Sequence, residues 1–200
     1  AEAICEAVAR PTMRFVEIKS PEQQATLSLH RARDLIVRQR TQTINMLRGL
    51  LAEFGMTFAQ GVGHAIRFAK RVTAGDMPEL PHAACDVVTD LGEQLLTLHA
   101  RVNWYGRRMT AAAKSEPRIA LLQTIPGIGP ITASAIVATI GSGEPFRSGR
   151  DLSAWLGLTP LNKSTGGKER LGRISKMGDR YIRRLMVVGM TYCPSARMGT

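Results

Sequence analysis

Apolar side chains recur at helical spacing over most of this chain. "SPEQ" at Ser20 to Gln23 predicts a capping box, with Ser20 as N-cap, Pro21 at the first helical position and Gln23 reaching back. The helix beginning there carries Leu29, Ala32, Ile36, Leu47, Leu50 and Phe54 at helical intervals, is decorated by Arg31, Arg33, Arg38, Arg40 and Arg48, and ends at Gly55. A glycine-rich linker over 55–81 follows, with a short helix around His64 to Val72.

The most regular pattern comes next. Ala84, Val88, Leu91, Leu95, Leu98, Val102, Tyr105, Met109 and Ala112 step alternately by four and three, a heptad seam on a long helix. Gly92 and Gly106 each weaken that helix by about 1 kcal/mol relative to alanine. Two partners could cover the seam: the Ser20 helix of the same chain, as a hairpin, or a second copy, as a coiled-coil dimer. Upstream, "MRFVEIK" alternates apolar and charged residues and predicts a short strand over Met13 to Lys19.

Pro117 closes the heptad helix and opens a unit of different composition. "LLQTIPGIGPITASAIVATIG" reads as helix, Pro-Gly-x-Gly-Pro turn, helix, so that Gly127 and Gly129 let backbone amides approach a partner closely. A helix-hairpin-helix phosphate contact and a plain packed turn both fit this pattern. Ile119 to Ile140 is uncharged and long enough to span a membrane, but Pro126, Gly127, Gly129 and Pro130 interrupt it, so no membrane span is expected. A helix around Arg150 to Leu156 has Trp155 as core anchor. The last helix, Asp179 to Met190, is expected to present Arg180, Arg183 and Arg184 on one face, with Ile182, Leu185 and Met186 inward.

Composition adds a partner class. The 200 residues are 44% hydrophobic, enough to build cores, and carry a net charge of +11. Between Lys163 and Arg184 eight Lys or Arg stand against Glu169 and Asp179, a local charge of +6, which calls for a polyanion. Cys5, Cys85 and Cys193 are far apart, and His30, His64, His82 and His99 show no ligand spacing. Neither a disulfide framework nor a zinc site is indicated, and a reducing, cytoplasmic compartment is expected.

The basic stretch, "LNKSTGGKERLGRISKMGDRYIRR", is not a nucleotide loop. A Walker A motif needs a glycine at position 162 and a hydroxyl at 169, where the chain has Asn162 and Glu169. What stands there is the Ser164 hydroxyl on a glycine loop among Lys163, Lys168, Arg170, Arg173 and Lys176. Clustered cations can stabilise both an alkoxide and a pentacovalent phosphoryl transition state. A nucleic-acid-binding loop without chemistry fits the same residues.

Three stretches together resemble one family: "AEAICEAVARPTMRFVEIKSPEQQATLSLHRARDLIVRQRTQTINMLRGLLAEFG", "IPGIGPITASAIVATIGSGEPFRSGRDLSAWLGLTP" and "KSTGGKERLGRISKMGDRYIRRLMV" are similar, in that order, to the insertion sequence one-ten family of bacterial transposases. The resemblance implies a recombinase with an N-terminal RuvC-like domain whose DEDD carboxylates bind magnesium, a coiled-coil middle, and a C-terminal domain whose loop serine attacks DNA. That serine maps onto Ser164, with Thr165 where the family often has a second serine. It also implies a structured non-coding RNA as partner, alongside DNA, and a homo-oligomer formed through the coiled coil. The family's last carboxylates precede "AEAICEA", so none of the four is expected here, and Glu2 and Glu6 are expected on a solvated face. With its start lacking Met, the chain is expected to be an N-terminally truncated piece, inactive alone. "TYCPSARMGT" departs from the family's continuing helical region, as a truncation or frameshift would.

The expected fold is therefore mainly α. It comprises the tail end of a RuvC-like domain with a remnant strand (1–19), long coiled-coil-like helices (20–116) and a small helix-hairpin-helix-like C-terminal domain (117–200). The expected nucleic-acid contacts are Gly127, Gly129, Lys163, Lys168, Arg170, Arg173, Lys176, Arg180, Arg183 and Arg184, with no metal held by these residues. A catalytically dead remnant that binds nucleic acid or dimerises is the alternative.

Overall fold

A computed structural model describes residues 2–11, 18–144, 146–163, 167 and 170–191. The described residues form eight helices and one two-stranded sheet, so the fold is mainly α as expected. The expected strand at Met13 to Lys19 lies largely outside the described residues, and Ile18 and Lys19, which are described, are not in a strand. The chain divides into two compact units, Ser28–Ala111 on one hand and Ala1–Leu27 with Ala112–Thr200 on the other.

Helix α1 (Glu2–Ala9) is exposed, and Glu6 pairs with Arg10 one turn on, so both N-terminal acids sit on a solvated face. Helix α2 (Pro21–Glu53) starts at the predicted capping box: the Ser20 N–H donates to Gln23 Oε1 (2.8 Å) and the Gln23 N–H to Ser20 Oγ (3.2 Å). Two otherwise orphaned amides are satisfied reciprocally. Gly55, at φ 72°, ends the run in the left-handed region.

In the Ser28–Ala111 unit, α2 packs antiparallel on helix α4 (His82–Ala113). Ile44, Leu47 and Leu51 of α2 meet Val88 and Leu95 of α4, and Ile36 meets Leu98 and Val102. Each such burial contributes about 1.5–3 kcal/mol. The heptad seam thus has its cover inside the chain, as a hairpin. The expected linker is not open: helix α3 (Val62–Thr73) fills its middle and buries Ala65, Ile66, Ala69 and Val72 in the same core. Gly92 is what admits α3, since a Cβ there would meet Val72 Cγ2 at 3.1 Å.

The other unit is built on short helices. Helices α5 (Pro117–Leu122) and α6 (Pro130–Ile140) join through the glycine turn, with Ala113, Ile119 and Ala133 buried between them. The uncharged stretch is accordingly two short helices, and among the described residues no helix is long and apolar enough to cross a membrane. Helix α7 (Gly149–Trp155) and helix α8 (Arg180–Thr191) close a second core, where Ala135, Leu156 and Ile182 are buried and Trp155, Leu185 and Met186 pack around them. Between them, β1 (Pro160–Asn162) and β2 (Leu171–Ile174) pair antiparallel, Pro160 opposite Ile174 and Asn162 opposite Leu171.

Candidate nucleic-acid interface

The basic stretch is a β-hairpin, which the sequence did not announce. Both strands are largely solvent-exposed, so no alternation of buried and exposed residues marks them. The Lys163 N–H donates to the Arg170 carbonyl (2.8 Å), extending the pairing past the strands and holding the two ends of segment 164–169 together. Ser164, Thr165, Gly166, Lys168 and Glu169 lie outside the described residues, and with them the expected nucleophile and one expected cation.

Leu161, Lys163, Arg170, Leu171, Gly172 and Arg173 line an open groove of about 950 Å³. Gly172 shapes it: a Cβ there would lie 3.2 Å from the Leu161 carbonyl oxygen and 3.3 Å from Lys163 Cε, so the lysine stem crosses the neighbouring strand where a side chain is missing. Lys163, Arg170 and Arg173 are all exposed. Guanidinium and ammonium groups displayed along a hairpin suit phosphate oxygens, Arg through paired N–H donors and Lys as a point charge.

The turn after β2 is held tightly. Lys176 adopts φ 56°, and its N–H donates to the Gly157 carbonyl (2.9 Å) while its side chain stays exposed. A Cβ on Gly157 would lie 2.6 Å from Met177 N, and one on Gly178 would collide with the Trp155 carbonyl. Asp179 then caps α8, accepting from the Ile182 N–H at 2.8 Å. Arg180 and Arg184, one turn apart, are exposed, the latter with its guanidinium 5.5 Å from the Tyr181 ring centre.

Arg183 departs from the expected shared face. It is 9% exposed, and its Nη1 donates to the Leu156 carbonyl (2.7 Å) and the Gly178 carbonyl (3.4 Å). Its charge is turned inward to carbonyls that the end of α7 and the tight turn leave without helical partners. No spacing rule links Arg183 to a carbonyl 27 residues back, so the sequence offered no signal for this.

The two turn glycines also differ. Gly127, at φ 87°, is packed on α8, where a Cβ would lie 3.1 Å from the Gly189 carbonyl oxygen. Its requirement for glycine is therefore met by packing. Gly129 is exposed, has nothing within 4 Å of a built Cβ, and is the N-cap of α6 without a side-chain cap hydrogen bond. Of the pair, only Gly129 leaves open space beside helix-start amides. Among the described residues no three His, Cys, Asp or Glu side chains come together as a metal site.

Comparison with known proteins gives the context of this surface. Residues 119–197 match the family model described as "Transposase IS116/IS110/IS902 family". The chain is 45% identical over 190 residues to a "Probable family 20 transposase" of Pseudomonas aeruginosa, covering 94% of this chain and 56% of that protein. It is 40% identical over 187 residues to the transposase for insertion sequence element IS1328 of Yersinia enterocolitica (94% and 55%), and 37% identical over 189 residues to that for IS1111A of Coxiella burnetii (94% and 52%). The chain spans about half the length of the curated relatives it matches. The chain is thus similar to transposases of the IS116/IS110/IS902 family, through the family model over residues 119–197 and through transposases that align along nearly all of it.

Proposed function

We propose that this chain is the C-terminal portion of an insertion-sequence transposase that binds DNA and breaks and joins strands through Ser164. The observation that carries the proposal is the basic hairpin: the Lys163–Arg170 hydrogen bond draws together the ends of the segment holding Ser164, with Arg170 and Arg173 exposed along the adjoining strand. In the proposed step the Ser164 Oγ–P bond forms, one P–O bond to deoxyribose breaks, the serine proton is lost to solvent or a base, and the departing oxygen takes up a proton. The cations of the hairpin offset charge on the phosphoryl oxygens. Lys168, Lys176, Arg180 and Arg184 extend the phosphate-holding surface, and Gly129 adds backbone amides.

The finer organisation belongs to the same reading: residues 1–19 as the tail of a RuvC-like domain, residues 117–200 as the transposase domain, a structured RNA that guides the DNA contact, and action in the cytoplasm. Magnesium does not fit the described residues, which hold no carboxylate cluster, so no step here is routed through it. Dimerisation through the heptad seam is not part of the proposal, because Val88, Leu95, Leu98 and Val102 are covered within the chain. The test uses the full-length protein with DNA carrying its element's ends. Wild type should give protein–DNA adducts that survive denaturant, and Ser164→Ala should give none; persistent adducts in that variant would sink the assignment.

A further inference from the structure

Arg33 and Arg40 stand on the inward stripe of α2, Arg40 midway between the buried Ile36 and Ile44. Their Nε atoms are buried without a hydrogen-bond partner among the described residues. Arg40 Nη1 lies 3.3 Å from His99 Nδ1 on α4, and His99 Nε2 lies 3.2 Å from the Asn103 amide. An Arg can only donate, so Nδ1 accepts, Nε2 carries the proton, and the Asn103 carbonyl oxygen must face it; His99 is neutral in this arrangement. Burial first, and then the charges of Arg40 and Lys70, hold His99 below the ordinary histidine range. Burial and then Arg33 likewise hold Arg40 below the ordinary arginine range.

Arg33 and Arg40 from α2 and Lys70 from α3 thus place positive charges around the neutral His99 ring of α4. Among the described residues no ion pair involves Arg33, Arg40 or Lys70; the carboxylates of this unit that are paired serve Arg38, Arg71 and His82. Half-burying like charges without a counterion costs stability, and a polar layer needed only for register would ordinarily be satisfied within itself.

We propose that this cluster is a second DNA-backbone site, on the α2–α3–α4 unit, in which Arg33, Arg40 and Lys70 hold phosphates of a duplex. It rests on the reading that the protein works on DNA. Seven residues of helix put Arg33 and Arg40 about 10 Å apart on a rigid rod, a track for a stiff duplex. Single strands are held largely by stacking, and four aromatic rings of this unit are already engaged: Phe58 stacks on Phe68 and lies under Arg48, and Trp104 meets Tyr105 edge to face and lies under Arg108.

The experiment measures binding of the full-length protein to a short mixed-sequence DNA duplex, and to the RNA duplex of the same sequence, across a salt series, with melting temperatures alongside. Arg33→Gln/Arg40→Gln/Lys70→Gln should weaken DNA binding and make its log–log salt slope shallower by roughly 2 to 3, about 0.9 for each phosphate no longer held. Its melting temperature should be unchanged or higher. Lys70→Gln alone, on an exposed position that cannot unfold the core, should remove roughly 0.9. A lower melting temperature with an unchanged slope would make the cluster a structural layer and overturn the site, and loss confined to the RNA duplex would overturn DNA as the occupant. Lys163→Gln/Arg173→Gln separates the two readings. If that pair weakens DNA binding and the triple variant does not, only this site falls; if neither matters, DNA binding by this chain falls as well.

Discussion

The guanidinium of Arg183 donates to the carbonyl oxygen of Leu156, 2.7 Å away, and so ties α8 to the end of α7. Because the residue is 9% exposed, removing it strands an acceptor and opens a gap at once. Arg183→Ala should cost about 2–3 kcal/mol in denaturant unfolding. The salt slope of DNA binding should stay at the wild-type value. A slope shallower by about 0.9, with stability intact, would instead make Arg183 a phosphate ligand.

Gly189 sits inside α8, where alanine would ordinarily add about 1 kcal/mol of helix stability. Here the sign should reverse, because a Cβ at that position collides with the Gly127 carbonyl oxygen. Gly189→Ala should destabilise by about 1–3 kcal/mol through the backbone shift it forces. Gly106→Ala in α4, where a Cβ meets nothing within 4 Å, should stabilise by about 1 kcal/mol. Equal effects from the two substitutions in thermal melts would show that the turn at Gly127 and α8 approach each other less closely than this.

Legibility followed the physics of each signal. The Ser20 capping box, the α2 and α4 boundaries and the break at Pro126 to Pro130 were readable because caps, heptads and proline act locally. The seam's cover was not, since a heptad pattern is silent on whether its partner lies in the same chain; Ile36, Ile44, Leu47 and Leu51 of α2, with Ala65, Ile66, Ala69 and Val72 of α3, supply it. The hairpin at Leu161 and Leu171 was hidden because both residues are exposed, leaving no alternation to detect. Of the expected site, the exposure of Lys163, Arg170, Arg173, Lys176, Arg180 and Arg184 followed from composition, whereas the inward turn of Arg183 and the packing of Gly127 on Gly189 depend on partners 27 and 62 residues away in sequence.

His30 is 1% exposed, and burial, followed by the charge of Arg33, pushes its pKa down from 6.5 to about 4. The unfolded chain binds this proton more readily than the folded one, so folding favours the neutral ring. Its contribution is fully present above pH 6.5, is lost as the pH falls from 6.5 to about 4, and changes no further below that. The loss should reach about 3 kcal/mol at the acid end of the window. Urea melts across this range should show that slope in wild type and a shallower one in His30→Gln; identical slopes would mean that His30 is free to charge in the folded state.

Lys163 and Arg173 test the hairpin itself. Both are exposed, so neutralising them should leave folding within about 0.5 kcal/mol of wild type. If their charges hold phosphates, Lys163→Gln/Arg173→Gln should flatten the salt slope of duplex binding by roughly 1.8, about 0.9 for each phosphate. Gly172→Val attacks the same surface without touching a charge. Its side chain enters the space the Lys163 stem crosses, 3.3 Å from Cε, and should displace the ammonium group while keeping net charge constant. Affinity at low salt should then fall even though the overall charge is unchanged. If Gly172→Val binds duplex DNA as tightly as wild type while the charge pair binds weakly, only the net charge of the hairpin matters, and the groove along β1 and β2 is not a shaped phosphate site.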